Sequence, residues 1–182
     1  NNSFPELIAV GKALPTGTVL DGEVICWEKG QDAPMGFDQL QRRVGRKTVG
    51  ATLKRECPVR FIAYDLLELE GTDVREQPLH ARQQQLRDLM AQLDHQDRWR
   101  FDQSHSWTLR SWNDLDEERN RARERKAEGL MLKRADSPYL SGRKRGHWWK
   151  HKLEPMTLDA VLIYAQAGSG RRANLFTDYT FG

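Results

Sequence analysis

Two short apolar runs separated by a Gly-rich basic loop constrain this chain most. Glu128-Gly129-Leu130-Met131-Leu132-Lys133-Arg134 is followed, after that loop, by Trp148-Trp149-Lys150-His151-Lys152. Each run is too short for a core helix and is bounded by charge and glycine, the pattern of a half-buried strand. Strand alternation places Lys150 and Lys152 on one face and Trp149, His151 and Leu153 on the other. Two ammonium groups at adjacent same-face positions suit one phosphate, whose charge they can neutralise during phosphoryl transfer. On its own, a strand carrying two lysines is also a common solvent-facing surface.

The rest of the chain supplies further strands and helices. Thr18 to Trp27 reads as a strand, and Phe61 to Leu69 as a second, closed by the turn signal Glu70-Gly71-Thr72-Asp73. Phe37 to Val44 is a short helix candidate. Leu79 to Leu93 has apolar residues at helical spacing with Pro78 at its start. Ser111 to Glu128 reads as one helix capped by Ser111, acidic early and arginine-rich late, with Gly129 as its stop. After Pro155 the texture becomes that of a β-hairpin, Leu158 to Ala165 and Ala173 to Phe181 around Gly168-Ser169-Gly170-Arg171-Arg172. Pro155 is a natural boundary, and 156–182 reads as the opening of a second, all-β module.

Composition excludes some classes. Of 182 residues, 38% are apolar and 30% charged, as expected for a chain with a packed core. No apolar run approaches the ~20 residues of a membrane span, and the start has no signal-peptide pattern. Cys26 and Cys57 lack metal or redox spacing and read as buried thiols in a reducing compartment, so the cytoplasm is expected. The net charge of +3 favours a polyanionic partner. Arg42-Arg43-Val44-Gly45-Arg46-Lys47, Arg143-Lys144-Arg145 and Arg171-Arg172 are clusters suited to phosphates or to a solvated surface.

Three more residues have chemistry worth placing. Glu128 lies at a helix-to-strand junction, where a carboxylate can serve a metal held by nucleotide phosphates. Tyr64, on the second strand, can stack on a purine or fill a core. Glu23, after Asp21-Gly22, can reach a ribose or a metal.

In order, Asp21-Gly22-Glu23, the strand with Tyr64-Asp65, Glu128 to Arg134, and Trp148 to Lys152 together resemble the motifs of the nucleotidyltransferase superfamily of DNA ligases and capping enzymes. Asp73 to Leu79 with Arg82, Ser137 to Lys150, Asp159 to Gly168 and Tyr179-Thr180-Phe181 narrow the resemblance to bacterial ATP-dependent DNA ligases of the three-domain, nuclease- and helicase-associated type. It covers essentially the whole chain.

The resemblance implies an α+β, ATP-grasp-like adenylation domain over 1–155, with mixed and antiparallel sheets, followed over 156–182 by the first strands of an OB-fold barrel. It implies that Tyr64 stacks on adenine, Glu128 holds the catalytic metal, Glu23 lies near ribose and metal, and Lys150 and Lys152 engage the α-phosphate. Arg143, or Arg145 in its place, would contact nucleotide phosphate. ATP and Mg2+ (or Mn2+) are the implied cofactors. Nicked double-stranded DNA is the implied partner, with an associated nuclease and helicase, for a monomeric, nucleoid-associated cytoplasmic enzyme.

The family's nucleophile sits in a Lys-x-Asp-Gly motif, which this sequence lacks. At Leu20-Asp21-Gly22 the lysine position falls on Val19. The chain is therefore expected to be an internal fragment unable to adenylate itself. An RNA ligase, a capping-type enzyme or a non-catalytic DNA-binding remnant are the alternatives.

Overall fold

The computed structural model describes residues 3–93, 99–142, 144–155 and 157–182. Its organising element is a long central strand, β2 (Val59–Leu69), antiparallel to β1 (Val19–Cys26). The short β3 (Thr72–Asp73) pairs antiparallel with Glu68 and Leu69 of β2, and β4 (Phe101–Gln103) pairs in parallel with Phe61 to Ala63. The β2–β3 reversal is tighter than the four-residue turn expected from sequence. Glu70 and Gly71 alone make it, at φ 51° and 80°, so Thr72 and Asp73 are free to pair.

β2 is longer than β1 because it carries two extra residues. Leu20 pairs with Leu66 and Val19 with Glu68, leaving Leu67 over; Asp21 pairs with Asp65 and Gly22 with Ala63, leaving Tyr64 over. A bulge bends the strand and re-aims its side chain, and here it falls on the tyrosine singled out from sequence. Gly22 lies opposite it for a steric reason, since a Cβ there would strike the Phe61 ring and the Ile62 carbonyl.

Helices cover one face of this sheet. α1 (Glu6–Ala13) and α4 (Leu79–Ala91) bring Val10, Leu86, Leu89 and Met90 onto Ala63, Leu66 and Phe101. Leu66 and Leu86 are fully buried, each contributing about 2–3 kcal/mol of transfer free energy. α2 (Phe37–Gln41) and α3 (Ala51–Glu56) close a second cluster in which Leu40 meets Cys26, Cys57 and Val59. Both cysteines are buried and free. The sequence pattern did not mark α1, α3 or β4, which at 8, 6 and 3 residues are too short to show a period.

α5 (Trp112–Arg121) is shorter than the helix expected over Ser111 to Glu128. Its start is as read, with the Ser111 hydroxyl accepting from the Asp114 amide at 3.1 Å. Its end comes early because the chain turns over Ala122 to Lys126, where Lys126 adopts φ 55°. Arg125, freed from the helix, packs over the Trp107 ring at 5.0 Å and pairs with Glu118 at 2.8 Å.

β5 (Gly129–Lys133) and β6 (Trp148–Lys152) form a separate antiparallel ladder. Gly129 opens it instead of stopping a helix. Its φ is 141°, and a Cβ would collide with the His151 carbonyl and the Lys152 Cα. Beyond Pro155, β7 (Leu162–Ala167) and β8 (Phe176–Phe181) pair with each other around a short 3-10 turn at Gly170–Arg172. Large apolar side chains of this hairpin, including Ile163, Tyr164, Phe176 and Phe181, are exposed. No helix among the described residues is long and apolar enough to cross a membrane.

Candidate active site

Register decides what the β5–β6 ladder presents. Gly129 lies opposite Lys152, Met131 opposite Lys150, and Lys133 opposite Trp148. With period-two alternation these six share one face, so three lysines, not two, line it. Lys133 was missed in the sequence because it ends an apolar run and reads as a boundary charge. Only the pairing of β5 with β6 puts it on the face of Lys150 and Lys152.

Lys133 reaches toward the large sheet. Its ammonium lies 4.1 Å from the Trp148 ring and 5.9 Å from the Tyr64 ring. Burial pushes its pKa down, opposed by the nearby Asp65 and Asp21 carboxylates. Cation–π contact compensates part of the lost hydration. The ladder and the bulge of β2 thus meet at Lys133.

Tyr64 is half-buried, and its phenol donates to Glu23 Oε2 at 2.6 Å. Burial first, then the Glu23 hydrogen bond and charge, push the phenol pKa up. The bonded Tyr64 and Glu23 were read from sequence as separate candidates, and the fold brings them together. Asp21 accepts from Tyr139 at 3.1 Å, which ties the connection after β5 to β1.

At the far end of the ladder, Lys152 donates to Glu128 Oε2 at 2.6 Å. This hydrogen bond is the main cause of the lowered Glu128 pKa, with the charges of Lys152 and Lys150 adding to it. Both groups are exposed, so the pair adds little to stability. Lys150 is exposed on the same face. From the Lys133–Trp148 pair to the Gly129–Lys152 pair the ladder spans ~13 Å. An aromatic ring with its carboxylate stands at one end, a carboxylate–lysine pair at the other, and ammonium groups lie between.

No group of three His, Cys, Asp or Glu side chains is gathered to hold a metal among the described residues. Glu128 alone is a donor suited to a hard cation that takes its other oxygens from phosphates and water. Arg143 lies outside the described residues; Arg145 is exposed in the loop between β5 and β6. A cavity of about 390 Å³ opens at the Trp148 end of the ladder, lined by Tyr139, Leu140, Lys144 and His147 as well as Trp148. None of Tyr64, Glu23, Glu128, Lys150 or Lys152 lines it. Glu128, Lys150 and Lys152 are exposed on the ladder, and Glu23 is exposed beside the half-buried Tyr64.

Known proteins resemble this chain in sequence and in fold. A 'Probable DNA ligase' of Koribacter versatilis is 34% identical over 99% of this chain, which spans 34% of that protein. A 'DNA ligase' of Haloarcula marismortui is 32% identical over 97% of the chain, which spans 31% of it. The chain thus spans about a third of the length of these curated relatives. Among solved structures, mycobacterial DNA ligase D complexed with ATP and MES superposes with a TM-score of 0.60 at 23% identity, over 98% of this chain and 50% of that one. A Lig E DNA ligase superposes with a TM-score of 0.64 at 23% identity, over 89% and 56%. These two likenesses bear on the fold, the nucleotidyltransferase fold of ligase adenylation domains. The family model of the ATP-dependent DNA ligase domain matches residues 2–152, from before α1 to the last lysine of the ladder. By that match, the chain belongs to the ATP-dependent DNA ligase domain family.

Proposed function

We propose that this chain forms most of the nucleotide-binding wall of an enzyme that seals 5′-phosphate/3′-hydroxyl nicks in duplex DNA at the expense of ATP. The observation that carries the reading is the lysine-lined ladder, joined at Lys133 to the Tyr64–Glu23 pair and ending at Glu128–Lys152. Adenine would stack on Tyr64 with Glu23 at the ribose. The phosphates would run along the ladder, with Lys150 and Lys152 at the α-phosphate and Lys133 between the base and them.

A divalent cation, Mg2+ or Mn2+, fits the Glu128 end because its remaining ligands would be phosphate oxygens and water. When bound it would neutralise charge on the transferred group. The protein's own work is to orient the α-phosphate and to stabilise the charge that builds there. Glu23 would hold the sugar edge and approach the same cation. Arg143 or Arg145 would meet the outer phosphates.

Residues 1–155 are proposed to be the adenylation unit and the hairpin after Pro155 the opening of an OB-fold unit that closes on DNA. Nicked DNA is the proposed partner, and an accompanying nuclease and helicase belong to the same reading. The test is nick sealing by the full-length gene product on a labelled nicked duplex, with ATP compared against GTP. Sealing with ATP supports the reading; transfer of GMP to an RNA end in its place would overturn it. The 182-residue polypeptide, which lacks Lys-x-Asp-Gly, is expected to form no AMP adduct detectable on a denaturing gel.

A further inference from the structure

Among the described residues two arginines are wholly buried, and they do different things. Arg43 donates to Glu6, to the Ser3 carbonyl and to the Cys57 carbonyl, joining α1 to the end of α2 and the start of β2. Its side-chain hydrogen bonds go to these groups and not to a ladder residue. Arg82, on α4, lies beneath the site.

The Arg82 guanidinium forks onto Asp65, with Nε to Oδ1 and Nη2 to Oδ2 both at 2.8 Å, and neither side chain is exposed to solvent. Its remaining nitrogen, Nη1, donates to the Ser137 carbonyl at 3.0 Å and to the Gln77 carbonyl. Asp65 follows Tyr64 directly on β2. Ser137 lies in the connection after β5, where its hydroxyl meets the Trp148 indole N–H at 3.4 Å. Trp148 carries the Lys133 ammonium, which lies 5.9 Å from the Tyr64 ring. The contacts close a ring: Tyr64–Asp65, Arg82, Ser137, Trp148, Lys133 and Tyr64 again.

We propose that Arg82 is a positioning residue of the nucleotide site, setting the distance between the Tyr64 platform and the lysine face of the ladder. This rests on the reading of that face as the ATP site. Stability alone is a poor reason for such a pair, because apolar residues of like volume usually serve a core as well or better. Hydrogen bonds of fixed direction to β2 and to the β5 connection give what apolar packing does not, a single spacing between two sheets. A nucleotide stacked at one end and held by phosphate at the other needs that spacing within a fraction of an ångström.

The experiment uses the full-length gene product and measures AMP-adduct formation against ATP concentration, beside the thermal midpoint. In D65L/R82M the apolar pair is expected to restore most of the midpoint lost by R82M alone, while kcat/KM for ATP stays down about 100-fold. R82K is expected to keep one bond to Asp65 and most of the midpoint, and to leave kcat/KM down about tenfold or more. R43M is the control: it lowers the midpoint without changing kcat/KM once the folded fraction is counted.

Parental kcat/KM in the double variant or in R82K overturns the proposal. So does a fall in R43M matching that of R82K, or loss of a cooperative melt in every Arg82 variant, since Arg82 is then simply structural. If the parent binds ATP but forms no adduct, the ligase reading fails alone, and the ATP dissociation constant carries the same comparison among variants. A parent that does not bind ATP overturns both.

Discussion

Lys152 and Glu128 face each other across the open end of the β5–β6 ladder at 2.6 Å, an ion pair exposed to water on both sides. An exposed pair of this kind stabilises a fold by little. Its groups are therefore available to a ligand: a phosphate can take Lys152 and a cation can take Glu128 without breaking anything the fold depends on.

Replacing Lys150 or Lys152 by methionine in the full-length protein is therefore expected to separate activity from stability. AMP transfer should fall by about 10²–10³-fold, the effect of removing a group that stabilises developing charge. The thermal midpoint should move by no more than about 2 °C, as for other exposed positions. Adduct formation and calorimetry on the same preparations check both halves, and a large drop in midpoint would contradict this account.

Tyr64 carries two separable contributions. Y64A should raise KM for ATP by about 5- to 100-fold through loss of base stacking. Y64F keeps the ring and should shift KM by less than about threefold, the loss of one hydrogen bond. A pH effect accompanies the phenol. Its pKa is raised on folding, so above its ordinary value of about 10 the folded state retains a proton that the unfolded chain releases. Stability should fall as pH rises through that range, and Y64F should fall less steeply in urea melts at pH 9 to 11.

Gly129→Ala tests the start of the ladder. The backbone at φ 141° and the close His151 carbonyl leave no place for a methyl group. The variant should lose about 2–3 kcal/mol in denaturant unfolding, combining backbone strain with a steric clash. Gly142, at φ 75° with nothing near it, should tolerate alanine with less than half that loss.

The cysteines give a simpler expectation. Burial pushes the Cys26 thiol up to about 11, with the adjacent Cys57 adding to the shift. Neither thiol should react with a disulfide reagent at pH 8 until the protein is unfolded, because the thiolate is the reactive form and both sulfurs are enclosed. Prompt labelling of the native protein at one equivalent or more would sink this expectation.

Much of the site was legible because its residues lie on strands, where alternation alone assigns faces. Lys150 and Lys152 share a face as read, and Glu128 stands at the ladder's end. What alternation could not reveal was pairing between distant strands, so Tyr64 and Glu23 looked like separate candidates until the β1–β2 register joined them. Lys133 escaped because its role depends on Trp148 and Tyr64, 15 and 69 positions away in the sequence. Helix ends were the weakest part. The charge gradient from Asp114 to Lys126 suits a helix throughout, yet Arg125 gains more by leaving it to meet Trp107 and Glu118.

The two unmatched residues of β2 also make this part of the chain intolerant of changes in length. Tyr64 points where it does because β1 is one residue short opposite it, and again opposite Leu67. A single-codon insertion between Leu20 and Gly22 would let β1 fill a gap and carry the tyrosine to the other side of the sheet, though every side chain named above would still be present. Residue type can drift here except at Gly22, where a Cβ has no room, whereas a frame-preserving insertion displaces the bulge itself. Alignments of this segment should therefore vary in residue type but not in spacing.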